Sequence, residues 1–167
     1  MASGENERRG SKMKETDKII VPVDFSEATE SLVKYAVYMA GKLSAPIHFI
    51  HVINILQFVN FYTGDPLLDV PYVDDCEEFL LTKAKEKISN LIKDNSESCA
   101  GCTGEVVTGD PVEKIVEVGA EKDANLIIIS THGFRGLKKI MLGSVAGRVL
   151  KRAHCPVLIM NPYKNQH

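Results

Sequence analysis

The sequence predicts an α/β fold with a five-stranded parallel sheet and helices on both faces. Short apolar runs rich in β-branched residues alternate along the chain with longer segments whose apolar residues recur at helical spacing. Alternation of this kind is typical of parallel sheets built from βαβ units. The run LIIIS at 126–130 is almost entirely aliphatic, as expected for a strand that is buried on both faces.

The predicted elements follow one another in the order β-α-β-α-β-α-β-α-β. The strands are Lys18–Val23, Pro46–Ile53, Thr103–Thr108, Leu126–Ser130 and Pro156–Met160. The helices are Ala28–Leu43, Asp74–Asp94, Val112–Lys122 and Ser144–Ala153. The segment from Asn54 to Val73 has aromatic residues, a glycine and two prolines but no clear period, so we expect a long loop or a short helix with a loop.

Right-handed crossover connections give these strands the order 3-2-1-4-5. The order reverses between the first and fourth strands. Ligands of open parallel sheets bind at such a reversal, outside the carboxyl ends of the strands. The residues at that point are Asp24 with its neighbours and Ser130 to Gly133. The sequence therefore predicts a ligand site there.

Charge and hydropathy exclude two classes of partner. The formal net charge is −2, which disfavours a protein that binds nucleic acid by neutralising phosphates. No apolar stretch reaches the roughly 18 residues that a membrane-spanning helix needs. The polar N-terminus lacks the apolar core of a signal peptide. We expect a cytoplasmic protein with a disordered tail at 1–17, one domain at 18–162 and a short tail at 163–167.

Cysteine and histidine patterns give no metal site. Cys99 and Cys102 form a CxxC pattern, which could bind a metal or cycle between dithiol and disulfide. Structural zinc needs four ligands, and no second pair has the required spacing. Because cytoplasmic thiols are reduced, we interpret the pair as two surface thiols in a loop. His48 and His51, on the second strand, are interpreted as structural.

The segment after the fourth strand has the pattern Ser130-x2-Gly133-x9-Gly143-Ser144. Gly133 permits close approach of the backbone to a ligand. Gly143 and Ser144 lie where a helix begins, and the unpaired N–H groups of a helix N-terminus favour an anion. The Ser144 hydroxyl could cap the helix or donate to a phosphate oxygen. The alternative is that these residues form a turn and a cap with no ligand.

Two common nucleotide motifs are absent from the sequence. Neither G-x-x-x-x-G-K-[ST] nor a G-x-G-x-x-G after a strand occurs, which excludes the usual P-loop and dinucleotide-binding interpretations.

Three segments of the chain resemble the universal stress protein family. They are IIVPVDFSE, GDPVEKIVEVGAEKDANLIIISTHG and LGSVAGRVLKRAHCPVLIM. The resemblance implies a doubly wound, Rossmann-like fold similar to that of the adenine nucleotide alpha hydrolases, and a dimer formed through the last strand. One branch of the family binds ATP or AMP through G-x2-G-x9-G-[ST]. This chain has that pattern except at its first position, which is Ser130.

The resemblance also implies a set of nucleotide contacts. The set is Pro22, Val23, Asp24, Val52, Ile129, Ser130, Gly133, Gly143, Ser144, Val145 and Ala146. Asp24 would accept hydrogen bonds from the ribose, Val52 would pack against adenine, and the Ile129 backbone would flank the base. The first residues of the last helix would hold the phosphates.

We therefore expect a nucleotide-dependent sensor or regulator of the stress response that binds ATP or AMP. Mg²⁺ or Mn²⁺ would be held mainly by phosphates and water. Nucleotide would order residues 134–142 and change dimer or partner surfaces. The apolar edge strand Pro156–Met160 would form a homodimer. No motif places a general base, so an enzyme is not predicted. The alternatives are a nucleotide-free dimeric interaction protein and a slow ATPase or phosphotransferase.

Overall fold

The computed structural model describes residues 18–55, 73–131 and 143–162. The strands are β1 (Lys18–Pro22), β2 (Ile47–Ile53), β3 (Thr103–Thr108), β4 (Ala124–Ser130) and β5 (Val157–Met160). The helices are α1 (Ala28–Leu43), α2 (Val73–Asp94), α3 (Pro111–Glu121) and α4 (Ser144–Arg152). The strands form one sheet in the order β3-β2-β1-β4-β5, and every neighbouring pair is parallel.

This sheet confirms the predicted fold class and strand order. The bounds of α1 and β3 agree with the sequence-based prediction. β4 begins two residues earlier than predicted, at Ala124, which pairs with Lys18. The polar Asn125 interrupts the apolar run there, and the register shifts around it, because Lys18 pairs with Ala124 and Ile19 with Leu126.

Alternation along the strands divides the core between the two faces of the sheet. The cluster under α1 and α2 includes Ile19, Val21, Leu32, Val33, Ala36, Phe49, Ile88 and Ile128. The cluster under α3 and α4 includes Ile20, Ile50, Val112, Ile115, Val118, Ile127, Ala146 and Val149. Burial of each large apolar side chain stabilises the fold by about 1.5–3 kcal/mol. The two-sided cover explains why β1 and β4 are nearly continuous aliphatic runs.

The CxxC pattern lies in the turn before β3 and corrects the expectation of two surface thiols. Cys99 and Cys102 form a disulfide, with their Cα atoms 5.6 Å apart. Cys99 is buried in the cluster under α1 and α2, and Cys102 packs against that cluster. Gly101 has a φ of +79°, which closes the turn between them. The sequence spacing predicted the loop, but it did not predict that Cys99 is inserted into the core.

Helices in the described part of the chain are too short or too polar to cross a membrane.

Candidate functional site

The ladder between β1 and β4 stops before the two strands end. Its pairs run from Lys18↔Ala124 to Ile20↔Ile127. β1 continues beside β2 for two more residues, up to Pro22↔Ile50. The hydrogen-bonded ladder between β1 and β4 therefore ends where the strand order reverses.

Pro22 provides the physical reason that the ladder ends there. The backbone nitrogens of Ile19 and Val23 donate to carbonyl oxygens of the β2 side, at 3.0 and 2.9 Å. Because N–H groups alternate between the two sides of a strand, the nitrogen of Pro22 faces β4. A proline has no hydrogen to donate, so the ladder cannot extend through this position. Pro22 thus leaves the ends of β1 and β4 without further ladder pairs at the edge where ligands of such sheets bind.

Asp24 follows β1 at this edge of the sheet, and its side chain is exposed. Its Oδ1 accepts hydrogen bonds from the Ser26 nitrogen at 3.1 Å, the Ser26 hydroxyl at 2.7 Å and the Thr29 hydroxyl at 3.3 Å. The N-cap residue of α1, Glu27, makes no capping bond with its own side chain. Asp24 therefore organises the entry into α1 and also presents a carboxylate at the edge of the sheet.

Gly143 fixes the start of α4 against the end of β4. Its nitrogen donates to the Thr131 carbonyl oxygen at 2.8 Å, and the Thr131 nitrogen donates to Met160 at 2.8 Å. A Cβ atom on residue 143 would overlap the Thr131 carbonyl oxygen. The φ of Gly143 is −57°, a value open to any residue. Glycine is required here for close approach of two backbone segments, and not for an unusual dihedral angle.

The first turn of α4 presents backbone N–H groups. Gly143 is the N-cap, which excludes the capping role considered for Ser144. Ser144 is exposed, Val145 is half-buried and Ala146 is buried. An α-helix provides no internal partner for its first N–H groups, and the first turn of α4 carries no acidic residue. This turn is therefore electropositive and suited to an anion.

The apolar candidates lie on both faces of the sheet. Val52 is half-buried and packs, as Ile129 does, in the cluster under α3 and α4. Val23 is 4% exposed and belongs to the opposite cluster, under α1 and α2. Val52 and Ile129 can therefore contribute side chains to one apolar wall, whereas Val23 can reach the same wall only with its backbone.

The remaining candidates are placed in part. Ser130 is half-buried at the end of β4, in register with Met160 of β5. Gly133 and residues 134–142 lie outside the described residues. Arg148, one turn into α4, has its Nη1 3.7 Å from Asp110 Oδ2. Across the ranges that the structure describes, no three His, Cys, Asp or Glu side chains are grouped to hold a metal ion.

Sequence reasoning missed two residues that shape this edge. Thr131 anchors Gly143 through its carbonyl oxygen, and its position directly after β4 was the available signal. His51, which the sequence pattern indicated to be structural, contacts the turn that carries Asp24. Its Nδ1 lies 2.7 Å from the Val23 carbonyl oxygen, and its ring centroid lies 4.7 Å from that of Phe25. A polar residue on the buried face of a strand end was the signal for His51.

Comparison with known sequences identifies the family of this chain. A sequence model described as the universal stress protein family matches residues 15–161. Universal stress protein MJ0531 of Methanocaldococcus jannaschii is 33% identical over 152 residues, which cover 89% of this chain and 84% of that protein. Universal stress protein MJ0577 of the same organism is 30% identical over 151 residues, with 86% and 93% covered. The chain belongs to the universal stress protein family.

Solved structures show the same architecture. The structure of MJ0577 has a TM-score of 0.75 and 27% identity, and the match covers 92% of this chain and 100% of that chain. A universal stress protein from Archaeoglobus fulgidus, in complex with dAMP, has a TM-score of 0.59 and 23% identity, with 87% and 98% covered. The Rossmann-like α/β fold of this family is thus the fold of this chain.

Proposed function

We propose that this universal stress protein binds an adenine nucleotide, ATP or AMP, at the carboxyl ends of β1 and β4. The observation that carries the proposal is the bare backbone of Gly143. Because residue 143 has no side chain, the electropositive start of α4 lies directly against the end of β4. The exposed carboxylate of Asp24 follows the neighbouring strand, beyond the ladder that Pro22 interrupts.

Each part of this edge suits one part of the nucleotide. An exposed carboxylate at Asp24 can accept hydrogen bonds from the ribose hydroxyls. Val52 and Ile129 offer apolar surface to the base, and Pro22 and Val23 would flank it. The backbone N–H groups of the α4 start and the Ser144 hydroxyl would hold the phosphates. These N–H groups belong to Ser144, Val145 and Ala146. Ser130 and Gly133 would add backbone contacts.

The fold is compatible with such a ligand, since the Archaeoglobus fulgidus protein holds dAMP. At 23% identity that likeness concerns the fold, and the assignment to this chain rests on its own residues. A divalent ion, Mg²⁺ or Mn²⁺, would be held by the phosphates and water and would neutralise phosphate charge.

Binding would serve as a signal within the cytoplasm. Nucleotide contacts at Gly143 and Ser144 would order residues 134–142 and so change the surface that a partner meets. In the described part of the sheet, β5 pairs with β4 alone, and its other edge can pair with the same strand of a second copy. A homodimer through Pro156–Met160 would then carry the signal between subunits.

The test compares two glycine variants. A Cβ at Gly143 would overlap backbone, whereas a Cβ at Gly41 of α1 meets no atom within 4 Å. Native protein, Gly41→Ala and Gly143→Ala would be purified without added nucleotide and denatured, and the released ligand analysed by ion-exchange chromatography. Titration calorimetry with AMP and Mg-ATP would follow.

We expect adenine nucleotide binding in the native protein and in Gly41→Ala, and its loss in Gly143→Ala. Absence of nucleotide from the native protein, together with flat calorimetry, would show that the glycines only form turns. The dimeric interaction protein would then be the better hypothesis. Turnover of ATP that Asp24→Ala abolishes would instead support the slow ATPase.

A further inference from the structure

The turn after β1 contains a residue in a rarely occupied conformation. Phe25 has a φ of +57°, in the left-handed region that side chains with a Cβ disfavour. Phe25 lies between Asp24 and Ser26, and Ser26 donates to the Asp24 carboxylate from both its nitrogen and its hydroxyl. The direction of the Asp24 side chain therefore depends on whatever holds Phe25 in this conformation.

His51 contacts this turn on both sides of Asp24. One residue before Asp24, the Val23 carbonyl oxygen lies 2.7 Å from His51 Nδ1. A carbonyl oxygen can only accept, so Nδ1 carries a hydrogen and donates it. One residue after Asp24, the Phe25 ring lies against the imidazole, with centroids 4.7 Å apart and planes tilted by 45°. Such a tilted ring pair adds attraction beyond its buried area.

The support for His51 comes from the sheet itself. His51 belongs to β2, and the carbonyl oxygen of the preceding residue, Ile50, accepts a bond from the Val23 nitrogen at 2.9 Å. The imidazole is thus attached to a strand that is paired on both sides. On α2, Lys87 places its Nζ 5.1 Å from the centroid of the Phe25 ring. Phe25 is held by a rigid strand and by a cation, which offsets the cost of its backbone conformation.

The donor at Nδ1 does not depend on protonation of the ring. Burial lowers the pKa of His51, against the bond to Val23 and the charge of Asp24, which raise it, while Lys87 lowers it further. The neutral ring donates through Nδ1, and so does the charged ring. The bond from His51 to the Val23 carbonyl oxygen, and with it the geometry around Asp24, is therefore the same whether His51 is neutral or protonated.

We propose that His51 is a positioning residue which holds the Val23–Phe25 turn and thereby directs the Asp24 carboxylate toward the ribose. The inference rests on the proposed nucleotide function and deepens it. It assigns discrimination between ribose and 2′-deoxyribose to a unit of three side chains, His51, Phe25 and Asp24. Loss of either supporting contact should impair ribose recognition while base and phosphate contacts remain.

The first experiment measures a ratio of affinities. Dissociation constants for AMP and dAMP would be determined by calorimetry for the native protein, Asp24→Asn, His51→Phe and His51→Asn. His51→Phe keeps a ring and removes the donor, whereas His51→Asn keeps an N–H donor close to the position of Nδ1. His48→Asn serves as the control, because His48 lies at the opposite end of β2 and its loss destabilises the fold without touching the turn.

The native protein should bind AMP about tenfold or more tightly than dAMP, as expected for a hydrogen bond to a charged group. Asp24→Asn and His51→Phe should both bring this ratio close to one, because AMP affinity falls more than dAMP affinity, since dAMP has only the bond from its 3′-hydroxyl to lose. His51→Asn should restore part of the ratio, and His48→Asn should leave it intact. The double variant D24N/H51F should lower the ratio no further than D24N does, because the two residues act as one unit.

A second pair of variants tests the turn without altering His51. Phe25→Gly removes the ring but accepts a left-handed conformation without strain, whereas Phe25→Leu keeps the strain. We expect Phe25→Leu to reduce the AMP:dAMP ratio more than Phe25→Gly does, even should His51→Phe fail to fold.

The outcomes separate the two proposals. A native protein that binds neither nucleotide would overturn the proposed function and the role of His51 together. A native protein that prefers AMP, with the same preference in His51→Phe and equal ratios in the two Phe25 variants, would overturn the role of His51 alone.

Discussion

Polar groups at the amino ends of the strands bond to one another, whereas those at the carboxyl ends are presented at the surface. At the amino ends of β2 and β3, His48 is 5% exposed, and its nitrogens lie 2.8 Å from Thr103 Oγ1 and from Glu105 Oε1. Glu105 Oε1 is also 3.1 Å from Lys122 Nζ. At the carboxyl ends, the groups presented are the exposed carboxylate of Asp24 and the N-terminal turn of a helix.

The difference teaches how to separate structural from functional polar groups in this protein. The amino-end groups satisfy one another through side chains and so need no ligand. The carboxyl-end geometry is set by backbone features, a proline that ends a ladder, a glycine that allows close approach and a left-handed phenylalanine. Backbone features of this kind fix the shape of this edge of the sheet, which suits a binding site.

Gly143→Ala should have the largest effect, because Gly143 lies at the carboxyl ends of the strands, where the nucleotide is proposed to bind. The new Cβ would overlap the Thr131 carbonyl oxygen, so α4 must move away from β4. We expect nucleotide affinity to fall below detection and the free energy of unfolding to fall by about 1–3 kcal/mol. Calorimetry and urea denaturation measure the two effects. Gly41→Ala, which adds the same methyl group in open space, should bind as the native protein does.

Reduction of the Cys99–Cys102 disulfide should change stability and leave binding intact, because the bond lies at the amino end of β3. Closing a loop of about four residues stabilises a fold by about 2 kcal/mol on the chain-entropy account. Urea denaturation with and without dithiothreitol measures this difference. Cys99→Ala/Cys102→Ala controls for other effects of the reductant. A loss of AMP affinity on reduction would contradict the separation of the two ends.

The amino-end network should also make stability depend on pH. Burial is the main reason that the pKa of His48 is lowered from 6.5, against its bond to Glu105, which raises it. As the pH falls below 6.5, the unfolded chain binds a proton at His48 before the folded protein does. The free energy of unfolding should therefore decrease until the folded pKa is reached, with a slope of up to about 1.4 kcal/mol per pH unit.

His48→Asn should remove the part of this slope that His48 contributes. The measurement is a series of urea denaturation curves between neutral and mildly acidic pH. His51, whose pKa burial also lowers, contributes a slope of the same sign that remains in the variant. Equal slopes in the native protein and in His48→Asn would show that His48 does not titrate in this range.

Much of this arrangement follows from the sequence, for identifiable physical reasons. Strands buried on both faces produce aliphatic runs such as 126–130, so the sheet order and the position of its reversal could be predicted. Asp24 could be chosen because it follows a strand at that reversal, and Gly143 because it precedes a predicted helix and belongs to the pattern Ser130-x2-Gly133-x9-Gly143-Ser144. The reason that Gly143 must be glycine could not be predicted, since it depends on a contact with the Thr131 carbonyl oxygen.

The missed features depend on side-chain contacts between distant segments. His48 and His51 lie three residues apart on β2 and look alike in the sequence. The packing of β3 beside His48 and of the β1–α1 turn beside His51 distinguishes the surroundings of the two residues. The Cys99–Cys102 bond was missed because compartment was inferred first, and local turn geometry brings the sulfurs together whatever the compartment.

Arg148→Ala should have the smallest effect. It tests whether the proposed nucleotide site includes residues beyond the first turn of α4. Arg148 lies one turn from the helix start, but its guanidinium is 3.7 Å from Asp110, and both side chains are well exposed. Such a pair contributes less than about 1 kcal/mol to stability. Arg152→Ala is the matched control, because Arg152 pairs with Glu113 at the same 3.7 Å but lies in the last turn of α4.

Calorimetry with AMP and with Mg-ATP separates the two roles open to Arg148. If its guanidinium serves only Asp110, both arginine variants bind either nucleotide as the native protein does. If Arg148→Ala weakens Mg-ATP binding about tenfold while AMP binding is unchanged, the guanidinium contacts phosphates beyond the first one. In that case Arg148 leaves Asp110 when the nucleotide binds. Because Asp110 also caps α3 through Oδ1, nucleotide binding would then alter the surroundings of the α3 N-terminus.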